Sequence, residues 1–110
     1  MRQFENRQVR AAQDESAERD VNEQIEEASA PVGLAEYGCE CPRNCDVPVS
    51  LTVDEYEAVR SVPTHFVVAP GHLLVGVEVV VREHSRYTVV EKIGAAAPIA
   101  SALDPRSPAS

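Results

Sequence analysis

The chain has 110 residues and a formal net charge of −8, enough for one domain and too little for two. Its 44% hydrophobic and 25% charged residues describe a globular chain rather than a fibre or a disordered polymer, and no apolar run approaches the ~18 residues of a transmembrane helix. The acidic balance, with ten Lys and Arg that form no stripe, argues against a sequence-independent grip on nucleic acid, which needs clustered cations to displace counterions.

Residues 1–14 are polar, with Phe4 and Val9 isolated, and are expected to be disordered. No apolar stretch here suits a signal peptide, so a cytoplasmic setting is expected. From Glu15 the pattern changes. Ala17, Val21, Ile25 and Ala28 recur at helical spacing, and this stripe is expected to be the buried contact. Asp14 suits the N-cap, while Pro31 and Gly33 supply the stop. The opposite face carries Glu18, Arg19, Asn22, Glu23 and Glu26 and reads as a solvated surface, or alternatively as an acidic docking face for a partner. A stripe this thin must lean on the rest of the domain or on a second copy, in a homo-oligomer built through this helix.

Leu34 to Cys41 reads as extended, with Tyr37, Cys39 and Cys41 on one face. Val47, Val49 and Leu51 alternate as well, and Pro48 places that strand at an edge. Thr52 and Glu55 have capping-box spacing ahead of a short helix that buries Val53, Tyr56 and Val59 and ends before Pro63. His65 to Ala69 is a strand, followed by a type II turn at Pro70-Gly71. Val75 to Glu83 and Tyr87 to Ile93 form an antiparallel hairpin across His84-Ser85-Arg86. Glu78, Glu83 and Glu91 are expected to face solvent, and the three tyrosines to sit at the edge of the core. In residues 95–110, Ala, Pro and Ser make up 12 of 16 positions, which predicts a disordered tail. The fold class is therefore α+β: one domain over 15–94, with an N-terminal helix, a cysteine knuckle, a short helix and an antiparallel sheet. Its apolar stretch is short enough to need a staple.

The three cysteines supply a candidate. Cys39, Cys41 and Cys45 form C-x-C-x3-C, and an odd count without an export signal is a poor disulfide framework. Zinc takes four tetrahedral ligands, drawn from thiolates and imidazoles. In a straight strand the Cα atoms of Cys39 and Cys41 would lie roughly 6.5–7 Å apart, so the chain must bend, and Gly38 and Pro42 bracket the pair. The Pro42-Arg43-Asn44 turn returns Cys45. His72, directly after the Pro-Gly turn, is the preferred fourth ligand. His65 comes second, and His84 reads as an exposed turn residue. Arg43 is placed to offset the net −1 of three thiolates, one imidazole and Zn2+. A closed Cys3His shell is structural rather than catalytic. Against this stand thiol redox chemistry, a cluster of small buried hydrophobes, and an iron–sulfur centre, whose common spacings differ.

The segments CECPRNCDVPVSLTVDEYEAVRSVPTHFVVAPGH, YTVVEKIG and RDVNEQIEE resemble a group of small hypothetical bacterial proteins. These share a Cys-x-Cys motif, a Leu-Thr-x-x-Glu-Tyr-x-x-Val-Arg helix start and a Pro-Gly-His turn. The resemblance runs from about Arg19 to Gly94 and places Cys39, Cys41, Cys45 and His72 in matching blocks, but it implies no reaction. No nucleophile elbow, zinc-protease helix, phosphate loop or dinucleotide fingerprint occurs. The expected function is a small zinc-stabilised module that binds another protein, with no membrane or nucleic-acid role. A redox sensor or enzyme built on the same thiols is the alternative.

Overall fold

A computed structural model describes residues 2–30, 32–42, 45 and 47–106, with side chains described from Asn6 onward. In chain order the elements are α1 (Arg2–Ala28), β1 (Leu34–Gly38), β2 (Pro48–Thr52), α2 (Val53–Arg60), β3 (His65–Val68), β4 (Glu78–Glu83), β5 (Thr88–Lys92) and α3 (Ala96–Ala102). The fold is α+β, as the alternation of helical and period-two segments implies.

Local chemistry sets several of these boundaries. The Thr52 side chain accepts from the Glu55 amide at 3.1 Å, and Glu55 Oε1 accepts from the Thr52 amide at 2.9 Å. This reciprocal capping box starts α2. At the end of β3, the His72 amide donates to Ala69 O at 3.0 Å across Pro70 and Gly71, and Gly71 has φ +81°. Proline fixes the first corner of such a turn, and only glycine takes the second without strain.

β1 and β2 pair antiparallel, with Tyr37 opposite Val49 and Ala35 opposite Leu51. The second sheet has the order β3-β5-β4, all antiparallel. The main core lies where β1, β2 and α2 meet the inner face of this sheet. It contains Tyr37, Val49, Leu51, Tyr56, Val59, Phe66, Val67, Val68, Val89 and Val90. Each large apolar side chain buried there contributes about 1.5–3 kcal/mol. Tyr37 and Tyr56 stack with ring centroids 4.5 Å apart, and Tyr37, Tyr56 and Tyr87 are all buried, deeper than an edge position. The outer strand β4 exposes Val79, Val80 and Val81 and carries a register irregularity between Val80 and Arg82, a common way of bending a free edge away from pairing.

Three expectations are corrected by the helices and by the strand carboxylates. Helix α1 begins at Arg2 rather than near Glu15, so the polar segment expected to be disordered forms its first half from Arg2 onward. The reason is tertiary: Gln8 Nε2 donates to Gly76 O at 3.1 Å and Gln8 Oε1 accepts from the Ala95 amide at 3.1 Å, while Ala11 and Ala12 are buried. Residues 95–106, expected as disordered tail, include α3, whose Ala96 and Ala100 are buried. Small side chains permit this close packing against α1. The stretch 107–110 lies outside the described residues. Glu78, expected in solvent, is buried.

The largest correction concerns which face of α1 is buried. Ala17, Val21 and Ala28 are exposed, and only Ile25 packs partly against the core. The buried face is Gln8, Ala12, Glu15, Arg19 and Asn22, with Glu23 and Glu26 half-buried. Each of these polar side chains has at least one partner distant in sequence. Arg19 donates to Pro63 O at 2.7 Å and Ala100 O at 2.8 Å, and its guanidinium lies 4.4 Å from the Phe66 ring centroid. Lys92 Nζ contacts both Glu15 Oε1 and Glu78 Oε1, with all three side chains fully buried. Arg60 bonds Glu23 at 2.8 Å and also Asp104. Buried charges persist only when paired and hydrogen-bonded, and this face is built from such pairs.

Candidate metal centre

The cysteine knuckle begins where β1 ends. The Cys39 amide donates to Val47 O at 3.2 Å, which continues the β1–β2 pairing for one further step. The chain then crosses to the free edge of β3. The Glu40 amide donates to Val67 O at 2.9 Å, and the Val67 amide donates back to Glu40 Oε1 at 2.9 Å. Two residues along, the Ala69 amide donates to Cys39 Sγ at 3.1 Å. The knuckle therefore ties the two sheets together.

Helix α1 fixes the knuckle from its other side. Gly38 donates its amide to Asn22 Oδ1 at 2.8 Å, and Asn22 Nδ2 donates to Gly38 O and to Glu40 Oε2, both at 2.8 Å. A Cβ at Gly38 would fall 1.9 Å from Glu18 Oε1, so any larger residue here would push the end of that side chain aside. Side chains alternate along extended chain, and Glu40 turns toward Asn22 and Val67 while its two neighbouring cysteines turn to the site. Burial pushes the Glu40 carboxyl up to about 7, against the bonds from Asn22 and Val67 and the charge of Arg19.

Cys39, Cys41, Cys45 and His72 converge. One ligand atom from each lies within 4.8 Å of all the others. Cys39 Sγ and His72 Nδ1 are 3.7 Å apart, and tetrahedral bonds of ~2.0–2.3 Å put ligand atoms about 3.5–3.8 Å apart. The set fits a four-coordinate ion. Cys39 and Cys41 are buried; Cys45 and His72 are half-buried.

Comparison with family models, curated proteins and solved structures gives no match. The chemistry must therefore be read from this site. Three thiols and one imidazole so close together can hold a metal ion. Burial pushes the Cys39 thiol up, opposed by bonds from the Ala69 and Cys41 amides. Burial also opposes ionisation of Cys45, but bonds from the Val47 amide and from the Cys41 and Cys39 thiols outweigh it, and that thiol sits below its usual range. A bound cation would favour the thiolate at all three positions.

Of the three histidines, the structure brings only His72 to the cysteines. His65 lies at the start of β3 with Nε2 3.6 Å from Glu91. His84 sits in the β4–β5 turn, stacked on Tyr87 at 4.6 Å. Arg43, expected to balance the site's charge, lies outside the described residues. Asn22, which holds the knuckle by three hydrogen bonds, was assigned to a solvated face by sequence reasoning. One signal in the chain points to it: Gln8, Ala12, Glu15, Arg19, Asn22 and Glu26 repeat at steps of four and three, the same period as a buried seam.

Proposed function

We propose that the chain is a small zinc-stapled module that acts by binding another protein and performs no catalysis itself. The observation that supports this reading is the convergence of Cys39, Cys41, Cys45 and His72 within 4.8 Å. Three thiolates with one imidazole select zinc among common divalent ions, by ligand softness and tetrahedral geometry. Such a shell leaves no position open for a substrate, so the ion's contribution is to folding. It would join β1, the β1–β2 loop and the turn after β3, three segments that a core this small holds weakly by apolar contact alone. No helix among the described residues is long and apolar enough to cross a membrane.

A second reading rests on Cys45. It is half-buried, with its thiol below the usual range, and a metal-free form of the cluster could serve thiol chemistry. Elemental analysis with a thiol count decides between the two. Protein purified without added metal should carry about one zinc per chain, with its thiols reactive only after chelation. His72→Ala should release zinc far more readily than His65→Ala or His84→Ala. A folded, metal-free protein with reactive thiols would overturn the zinc reading and favour the second.

A further inference from the structure

Lys92 is the only lysine in the sequence, and it is fully buried. Its Nζ touches Oε1 of both Glu15 and Glu78, whose side chains are fully buried too. Glu15 comes from α1, while Glu78 and Lys92 face each other in the β4–β5 register. The Phe66 ring closes one side of the cluster, its centroid 5.1 Å from Nζ. The two carboxyls differ at their second oxygens. Glu78 Oε2 accepts from the Leu74 amide at 2.9 Å, which ties that carboxyl to the backbone. Glu15 Oε2 is buried and has no partner among the described residues. Burial, reinforced by Glu78, pushes the Glu15 carboxyl up to about 9 against the Lys92 charge. An amine, a neutral carboxyl with an untethered oxygen and a second carboxyl held as an acceptor therefore meet in a dry site.

We propose that Lys92, Glu15 and Glu78 form an autocatalytic crosslinking site, at which Lys92 Nζ condenses with the Glu15 carboxyl into an isopeptide bond joining β5 to α1. Glu78 takes one proton from the Lys92 ammonium and keeps it, which frees the nitrogen lone pair to attack Glu15 Cδ. As the Nζ–Cδ bond forms, a second Nζ proton passes to the Glu15 Oε2 hydroxyl. The Cδ–Oε2 bond then breaks and water leaves. The products are an amide, one water and a neutral Glu78, so no oxidant or other co-reactant is needed. In water this condensation stalls, because the ion pair is well solvated. Here burial removes that solvation, and the amide leaves no charge in the core. Fixed contact supplies the other advantage, since well-oriented neighbours react at effective concentrations of ~10⁵–10⁸ M. The ion-paired cluster is the reactant and the amide its product, two successive states of the same groups. The site owes nothing to the metal centre.

The test follows the intact mass of the full chain, purified and then held folded at neutral pH. The chain should lose the mass of one water. Trypsin should then leave Lys92 uncut and release residues 11–19 joined to residues 87–106, with fragment ions placing the branch at Glu15. Lys92→Arg keeps a cation but lacks the amine, and should stay at full mass. Glu78→Gln should slow the loss by about 10²–10⁴-fold, the scale for removing a general base. Circular dichroism checks that both variants fold, and the mass of the parent decides the matter even where they do not. A folded parent that stays at full mass overturns the proposal. Water loss without the branched peptide marks a cyclised aspartate and overturns it as well. A branch at Glu78 overturns the assignment of the two carboxyls, and equal linking of protein held unfolded in urea refutes the role of the folded cluster.

Discussion

Replacing Lys92 by Met tests whether the buried face of α1 is held by the Glu15–Lys92–Glu78 cluster. Lys92 Nζ is the cation between Glu15 and Glu78, all three side chains are fully buried, and it also lies 5.1 Å from the Phe66 ring centroid. Methionine keeps the length and apolar stem but leaves two carboxyls facing each other without a cation. Removing one partner of a buried pair costs about 3–5 kcal/mol. A chain of 110 residues has a total stability of roughly 6–16 kcal/mol at ~0.05–0.15 kcal/mol per residue, so the loss is a large fraction of the whole. Unfolding entropy near ~2.1 cal/mol/K per residue gives about 0.23 kcal/mol/K, and the thermal midpoint should fall by about 13–22 °C. Circular dichroism melts and urea titrations of samples matched in metal content read it. The triple variant Lys92→Met, Glu15→Gln, Glu78→Gln removes every charge and should regain at least half of the loss, because exchanging a whole buried ionic group for neutral ones is often near neutral. A midpoint within about 4 °C of the parent for Lys92→Met alone, a shift worth only ~1 kcal/mol, would refute the argument that this triad anchors α1.

The same triad sets a pH dependence. Burial, despite the Lys92 charge, pushes the Glu15 carboxyl from 4.5 up to about 9, so between those values the folded chain holds a proton that the unfolded chain has released. Stability from this group is full below 4.5 and falls as pH rises toward 9; Glu15→Gln should flatten the urea midpoint across that window, and an unchanged slope would count against a neutral buried Glu15. Deleting residues 95–110 should destabilise the protein by about 2–6 kcal/mol, since the buried Arg19 and Arg60 guanidiniums lose Ala100 O and Asp104 as acceptors, at about 1–3 kcal/mol each. An unaltered urea midpoint would show that α3 is expendable.

Much of the local structure was legible because its causes are local. The Thr52–Glu55 cap, the Pro70-Gly71 turn, the hairpin that ends at Lys92 and the period-two runs around Tyr37 and Val49 depend on neighbours in sequence. The cluster of three cysteines and His72 was legible for a related reason: cysteines six residues apart can converge through one turn, and a histidine directly after a Pro-Gly corner can be delivered to them. Sequence prefers His72 to His65 by its place after that corner, and the crossing of the knuckle onto β3, which brings Ala69 and the following turn to Cys39, is what seats His72 beside the cysteines.

Sequence by itself determined the α+β class, the elements from β1 to β5 and the residue types that can hold an ion. Tertiary structure decided which face of α1 is inside, and it decided against the apolar one. Ala17, Val21 and Ala28 offer little area to bury, whereas Glu15, Arg19 and Asn22 meet Lys92, Pro63 O, Ala100 O and the Gly38 backbone. Those partners lie 16 to 81 residues away along the chain. A hydrophobic period records the free energy of leaving water. It holds no record of a distant carbonyl or ammonium that will offset the cost of burying a charge.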